Sequence, residues 1–259
     1  EQIAGLIHDI SHSAFSHCID YAFSNNPNIQ AQQIHQDNYL EEFLLKTDIP
    51  LILNEFGFNY QDVINDSNHP LKEKNLPDLC ADRIDYCLRD GVAYKQISNE
   101  EVNEFLNNLV VKDNQWLFLD QEVARKFAHY FNTINQNYYA GLNSALMLGT
   151  TGQYLGYALE KKYITINELY STDENVLNVI KKHHQSDEYL KKLFDRMNLK
   201  YSYQLNNLNF DLKIGCKNRN IDPLFLDNGQ IKKLSAVDLD WERTISNTQP
   251  IVYYIKFSE

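Results

Sequence analysis

The chain has 259 residues, is 43% hydrophobic and 23% charged, and carries a formal net charge of −11 at neutral pH. That length suits one large domain, or a main domain with a smaller annex. The acidic balance excludes a general nucleic-acid surface, because phosphate backbones are held by Lys and Arg; a small anionic substrate needs only a local cation or a metal.

Ile3, Leu6, Ile7 and Ile10 recur at helical spacing, so residues 1–10 read as a buried helix. A small, polar turn follows over Ser11–Ser16, then a short helical piece over Cys18–Phe23 and a loop over Ser24–Asn28. Ile34–Lys46, Pro50–Phe56 and Tyr60–Ile64 read as helices, with Gly57 as a C-cap. Asp66–Pro77 is a polar connection, and Leu79–Asp90 is a strong helix ended by Gly91. Glu100–Asn108 is helical behind a capping box of Ser98 and Glu101. Leu109–Val111 and Trp116–Leu119 form a hairpin about Lys112–Gln115. Gln121 to about Glu160 is helical, broken near Gly149–Gly152, and the helices Ile166–Leu169, Asn175–His184 and Asp187–Met197 follow. Tyr201–Leu205, Phe210–Ile214, Pro223–Leu226 and Ile251–Phe257 read as strands. The expected organisation is a helical body over 1–200 and a small α+β annex over 201–259.

Cys18, Cys80, Cys87 and Cys216 form no C-x-x-C pair, so a reducing, cytoplasmic setting is the simpler expectation. No apolar run approaches the roughly 18 residues of a membrane span, and no signal peptide is visible. The chain opens inside a helical pattern, without Met or cap, so further residues are expected before Glu1.

The chemistry concentrates in Ile7-His8-Asp9-Ile10-Ser11-His12-Ser13-Ala14-Phe15-Ser16-His17. Adjacent His8 and Asp9 can share one divalent ion if the helix ends there, and imidazole with carboxylate suits Mn, Fe, Ni, Zn or Mg. On the Leu79–Asp90 helix, Asp82, Tyr86 and Asp90 share one face at i, i+4 and i+8, with Arg83 beside it. Asp82 can complete the metal site, Arg83 and Tyr86 can hold phosphate oxygens, and Asp90 can accept from a sugar hydroxyl. His183 and His184 diverge by about 100° on a helix and read as solvated rather than metal-binding.

Ala4–His17 resembles the HD motif of the HD-domain phosphohydrolases, in the branch of the deoxynucleoside triphosphate triphosphohydrolases, where the pattern is H-D-(I/L)-G-H-G-P-F-S-H. Ala81–Asp90 resembles the later D-(K/R)-x-D-Y-x-x-R-D motif, and Lys217–Leu224 resembles a C-terminal K-x-R-x-I-D-P segment of bacterial relatives. The resemblance implies a mainly α-helical HD domain with His8, Asp9 and Asp82 as metal ligands and a further histidine upstream of the HD pair. It places His12 and His17 along the phosphate side, His35 at a general-acid position and Asp20 where a carboxylate orients a histidine. Arg83 and Tyr86 would hold phosphates and Asp90 the sugar. Departures are visible: Ser11 and Ser13 stand where glycines are usual, adding side chains at the mouth of the site, and Ala14 replaces a proline. The stretch Phe131–Ser144, where the branch carries a phosphate clamp, holds no basic residue.

The expected function is a metal-dependent phosphohydrolase acting on nucleotides, most specifically a dNTP triphosphohydrolase in which metal-activated water attacks phosphorus and His12 or His35 assists. A weakened HD domain that binds nucleotide in a regulatory role, and a cyclic nucleotide or dinucleotide phosphodiesterase, are the alternatives. Relatives of this branch assemble, so a homo-oligomer is expected as well.

Overall fold

A computed structural model describes residues 1–258. Helices make up 53% and strands 12%, so the fold is mainly α but not all-α. Contacts divide the chain into two compact units. The first is assembled from Glu1–His8, Asp48–Asn137 and Asn218–Gln249; the second from Asp9–Thr47, Tyr138–Lys217 and the stretch from Pro250. The segment after residue 200 therefore contributes to both.

In the first unit, the helix Gln2–Ile7 is shorter than its apolar spacing suggests, and Leu6 is exposed rather than buried. The helix stops at His8, immediately before Asp9. Helices Ala81–Ala93, Asn99–Asn108 and Gln121–Ile134 surround an aromatic core. Phe105, Phe118, Phe127, Phe131 and Phe225 are all essentially inaccessible, each contributing about 1.5–3 kcal/mol by burial. The capping box forms as read: Ser98 Oγ accepts from Glu101 N at 3.2 Å and Glu101 Oε2 from Ser98 N at 3.0 Å. Gly91 does not end its helix, which runs on to Ala93. A Cβ there would lie 1.6 Å from Tyr130 Oη, so the glycine makes room for the hydroxyl that donates to Cys87 O at 2.7 Å.

Leu109–Lys112 pairs antiparallel with Gln115–Phe118 through Asp113 and Asn114, both at positive φ, the two-residue turn that matches strand twist. Leu224–Asp227 joins that hairpin in parallel, and Gln230–Lys233 returns through Asn228-Gly229, also at positive φ. Neither that last strand nor the helix Leu239–Ser246 was expected. The K-x-R-x-I-D-P segment is a staple: buried Asp222 accepts from Ser235 N and Oγ at 2.9 and 2.6 Å. Trp241 Nε1 donates to Ile221 O at 3.1 Å.

The second unit is built on the continuous helix Leu142–Glu160. Gly149 and Gly152 lie inside it; the break sits earlier, at a π-helical turn over Asn135–Tyr139. A Cβ on Gly152 would meet Tyr21 at 2.5 Å, so this glycine serves the close approach of the helix Cys18–Phe23. His35–Leu44, Asp173–Lys181 and Glu188–Met197 complete the helical part. A three-stranded antiparallel sheet sets Ile251–Phe257 between Tyr203–Leu205 and Leu212–Cys216. His183 and His184 are packed rather than solvated: His183 stacks on Tyr163 at 4.0 Å, and His184 Nε2 lies 3.0 Å from Tyr154 Oη. No helix among the described residues is long and apolar enough to cross a membrane.

Candidate active site

In the first unit, His8 and Asp82 come together. His8 is the C-cap of its helix and Asp82 opens the first turn of Ala81–Ala93, and their Nε2 and Oδ1 atoms lie 3.3 Å apart. His8 Nδ1 donates to Gly5 O at 2.7 Å, because a carbonyl only accepts. That bond fixes the tautomer and turns Nε2 toward the carboxylate. In a neutral imidazole the Nε2 lone pair then faces a carboxylate lone pair, a conflict that a cation between them removes. A second ring nitrogen tied to a backbone carbonyl is the usual support of a metal-ligating histidine. Ligand bonds of about 2.0–2.2 Å from each atom can meet on one ion across this gap. The pair fits a divalent metal, although among the described residues no three His, Cys, Asp or Glu side chains cluster into a metal cage.

The same helix carries Tyr86 and Asp90. Tyr86 is partly buried, and that burial drives its phenol above the usual range; Arg219 and then Arg83 oppose the shift, while Asp82 adds to it. Asp90 lies near Cys87 and Tyr130, where its charge helps raise both groups, after burial. Arg83 faces inward: one terminal nitrogen donates to Asp78 O at 2.7 Å and Cys80 Sγ at 3.2 Å, and the other to Glu73 Oε1 at 3.1 Å and to Lys74 O. It holds the chain reversal that delivers the helix.

The second unit carries the histidine cluster. Residues 8–17 form turns rather than helix. Phe15 and Ser16 sit consecutively at φ 61° and 44°, a left-handed conformation costing about 1–2 kcal/mol per residue. Ala14 N donates to Leu169 O at 2.8 Å and Phe15 N to Asp173 Oδ1 at 2.9 Å, anchoring the turn. Ser11 and Ser13 do not project at a mouth: both are buried, and Ser11 Oγ donates to Gln36 O at 3.0 Å.

Asp9 belongs to this unit, its Oδ1 3.5 Å from His12 Nε2. The His12 and His17 rings meet edge-on at 5.1 Å. Asp20 Oδ1 accepts from His35 N at 3.1 Å, and its Oδ2 lies 3.9 Å from His17 Nδ1. His12 Nδ1, His17 Nδ1 and Asp20 Oδ2 are buried without a hydrogen-bond partner among the described residues. Burial lowers the pKa of His35, with Asp20 opposing, and His35 Nε2 lies 3.0 Å from Tyr170 Oη. Tyr170 also stacks on Tyr39 at 4.4 Å.

Three contributors escaped the sequence reading. Tyr170 stands in a short connection with no motif around it. Arg219 lay within a segment noticed only as a resemblance. Asn135, wholly buried in the π-helical turn, donates to Asn218 Oδ1 at 2.7 Å and accepts from Arg219 N at 3.0 Å.

No family model matches the chain. It is 32% identical over 243 residues to the uncharacterized protein YdhJ of Bacillus subtilis, covering 90% of this chain and 70% of that protein. It is 32% identical over 166 residues to the metal-dependent phosphohydrolase cns2 of Cordyceps militaris, covering 62% of this chain and 47% of that protein. Among solved structures, a hypothetical protein from Aquifex aeolicus shares the fold with a TM-score of 0.64 at 16% identity, covering 99% of this chain and 75% of that one. A phosphohydrolase from Bacteroides thetaiotaomicron shares it with a TM-score of 0.59 at 14% identity, covering 98% and 78%. The chain belongs to the family of Bacillus subtilis YdhJ.

Proposed function

We propose that the protein is a metal-dependent phosphohydrolase of the HD type acting on nucleotides, in its most specific form a dNTP triphosphohydrolase. The observation that carries this reading is the His8–Asp82 pair, with Gly5 O accepting from Nδ1 so that Nε2 and a carboxylate oxygen converge at 3.3 Å. The relative named a metal-dependent phosphohydrolase and the sequence motifs support it.

His8 and Asp82 would hold one divalent ion (Mn, Fe, Ni, Zn or Mg), and the resemblance adds Asp9, the next residue in the chain. When bound, such an ion acidifies a coordinated water and polarises a phosphoryl oxygen. His12, with Asp9 at its Nε2, and His17, with Asp20 behind its Nδ1, present imidazole nitrogens suited to phosphate oxygens. His35 is kept neutral near pH 7 by burial and moves a proton through the Nε2 atom that faces Tyr170. Tyr86 offers a phenolic hydrogen to phosphate, and Asp90 an acceptor to a sugar hydroxyl. A cytoplasmic setting fits four free, buried cysteines, and assembly of like copies belongs to the same reading.

Elemental analysis together with a panel of dNTPs, NTPs, monophosphates and cyclic nucleotides tests the proposal. The wild type should retain a transition metal and hydrolyse a triphosphate, and Asp82→Ala should lose both properties. Full activity in Asp82→Ala would sink the assignment. Light scattering reads the assembly.

A further inference from the structure

The turn between His12 and His17 holds a conformation that its own residues resist. Phe15 and Ser16 stand consecutively at φ 61° and 44°, in the left-handed region that a Cβ disfavours. Ser16 N donates to Ser13 O at 3.0 Å and Cys18 N to Phe15 O at 2.9 Å, both local bonds. The amides of Ala14 and Phe15 are held from elsewhere in the second unit. Ala14 N donates to Leu169 O at 2.8 Å, and Phe15 N to Asp173 Oδ1 at 2.9 Å, a partner 158 positions further along the chain.

The connection 169–173 is arranged to make those contacts. Leu169 ends the helix Ile166–Leu169 and is buried in the same core as Ala14. Thr172 caps the next helix, Asp173–Lys181, its Oγ1 accepting from Asn175 N at 3.3 Å. With the cap supplied by Thr172, the Asp173 carboxylate is left to accept from Phe15 N. An aspartate in a first helical turn also suits the positive end of the helix dipole, and that role has to be told apart from the contact with Phe15. Tyr170, between the two anchors, meets His35 Nε2 at 3.0 Å, and His35 N donates to Asp20 Oδ1 at 3.1 Å. Asp20 Oδ2 in turn lies 3.9 Å from His17 Nδ1. One short connection therefore reaches the histidine cluster from two sides, through the backbone of the turn and through the ring of His35.

We propose that Asp173 is a positioning residue for His12 and His17, holding the left-handed turn that sets their rings edge-on at 5.1 Å. It acts through the backbone of Phe15 and touches no substrate. The proposal rests on the phosphohydrolase reading for what the two imidazoles do, which is to meet phosphate oxygens. A shift of about 1 Å in such groups can cost about 10²-fold in rate, so a bond at the base of the turn has leverage on the chemistry.

Triphosphate hydrolysis and side-chain NMR spectra of isotope-labelled histidines, both on the full chain, test it together. Asp173 is exposed, so its replacement leaves the core intact. In Asp173→Ala, kcat should fall about tenfold or more with little change in KM. The ring signals of His12 and His17 should move, while those of His69 and His129, in the first unit, stay in place. Asp173→Asn keeps an acceptor oxygen and should restore most of kcat and the wild-type signals. Asp173→Glu keeps the charge at the helix start but displaces the oxygen by one methylene. It should therefore resemble the alanine variant, and it serves if that variant does not fold. Wild-type kcat and unmoved signals in Asp173→Ala would overturn the proposal. So would an Asp173→Glu protein that matches the wild type while Asp173→Asn matches alanine, because charge at the helix start would then be the whole role. If nothing in the substrate panel is hydrolysed, the hydrolase reading fails and the spectra decide: signals that move in Asp173→Ala and return in Asp173→Asn uphold this one, and signals that stay put overturn it. If the wild type hydrolyses a triphosphate and Asp173→Ala does so at the same rate, this one fails alone.

Discussion

Two regions of the molecule treat their buried polar groups differently: the start of the helix Ala81–Ala93 in the first unit, and the turn from His12 to Asp20 in the second. In the first, the groups near Asp82 are matched: Arg83 has four acceptors, His8 Nδ1 has Gly5 O, and Asn135 bonds on both sides. In the second, His12 Nδ1, His17 Nδ1 and Asp20 Oδ2 are buried without hydrogen-bond partners among the described residues, on a turn that already carries two left-handed residues. An unsatisfied buried polar group costs about 1–3 kcal/mol, so three within nine residues is a costly local arrangement. Matched groups stiffen a frame; unmatched ones retain capacity for a ligand. Substitutions at the unmatched groups should therefore remove activity, and those at the matched groups should remove the fold.

The sharpest break concerns His12. His12→Ala deletes an unsatisfied group from the second unit, so its urea midpoint should stay at or above that of the wild type. Hydrolysis of a triphosphate should fall by about 10²–10³, the usual worth of one positioned group that stabilises charge on the reacting phosphate. A variant that loses stability and keeps its rate would reverse the roles assigned to the two regions.

Arg83→Met probes the opposite case. The substitution removes the Arg83 donor from Asp78 O and Lys74 O and the ion-pair partner from half-buried Glu73, and breaking a buried ion pair costs up to about 3–5 kcal/mol. The expected result is a large drop in urea midpoint. An Arg83→Met protein as stable as the wild type, but with weakened tripolyphosphate binding, would return Arg83 to the substrate.

Much of this contrast could not be read from the chain alone. Local signals were legible in the Ser98–Glu101 capping box and in Gly57 at φ +79°, whereas the helix read over residues 1–10 stops at Ile7. Where the cause was tertiary, the local reading misfired. Gly91 and Gly152 look like helix breakers, yet each is small because Tyr130 or Tyr21 lies against it. His183 and His184 look solvated until the aromatic side chains that cover them are in place. Arg83 reads from its place beside the Asp82 face as a holder of phosphate oxygens, and the turn over 73–80 folds protein acceptors around it. The Asn228-Gly229 hairpin is different, since its signal is local: an Asn-Gly pair between two apolar runs. The interleaving of the units is invisible to any reading that treats the chain as consecutive blocks, because each unit closes through contacts between distant stretches.

A smaller effect concerns Tyr170, which meets His35 Nε2 at 3.0 Å. Tyr170→Phe keeps the stacking ring and removes one hydrogen bond, worth about 1 kcal/mol. The expected loss in kcat is about five- to tenfold, with the fold retained. An unchanged kcat would detach Tyr170 from proton transfer and leave it as packing against Tyr39.

The smallest effect is a pH dependence of stability in the second unit. His184 is held below the ordinary histidine value of 6.5 by burial, and the charges of Lys191 and Lys181 add to that while Asp195 and Asp187 oppose it. His35 is lowered as well, by burial against Asp20. A group whose folded pKa is depressed binds its proton more readily when the chain is unfolded. Stability from both histidines is therefore complete above about pH 6.5 and is lost as pH falls from there toward their folded values. Asp187, lowered chiefly by the backbone N–H of Leu190, acts only below the ordinary 3.8, outside this window. The urea midpoint should accordingly be lower at pH 5.5 than at pH 7.5. His184→Gln keeps a polar partner for Tyr154 Oη and should flatten part of that slope, the remainder belonging to His35. A slope that the substitution leaves untouched would mean that His184 titrates alike in the folded and unfolded chain, and that its contacts with Tyr154 and Phe194 do not shield it from water.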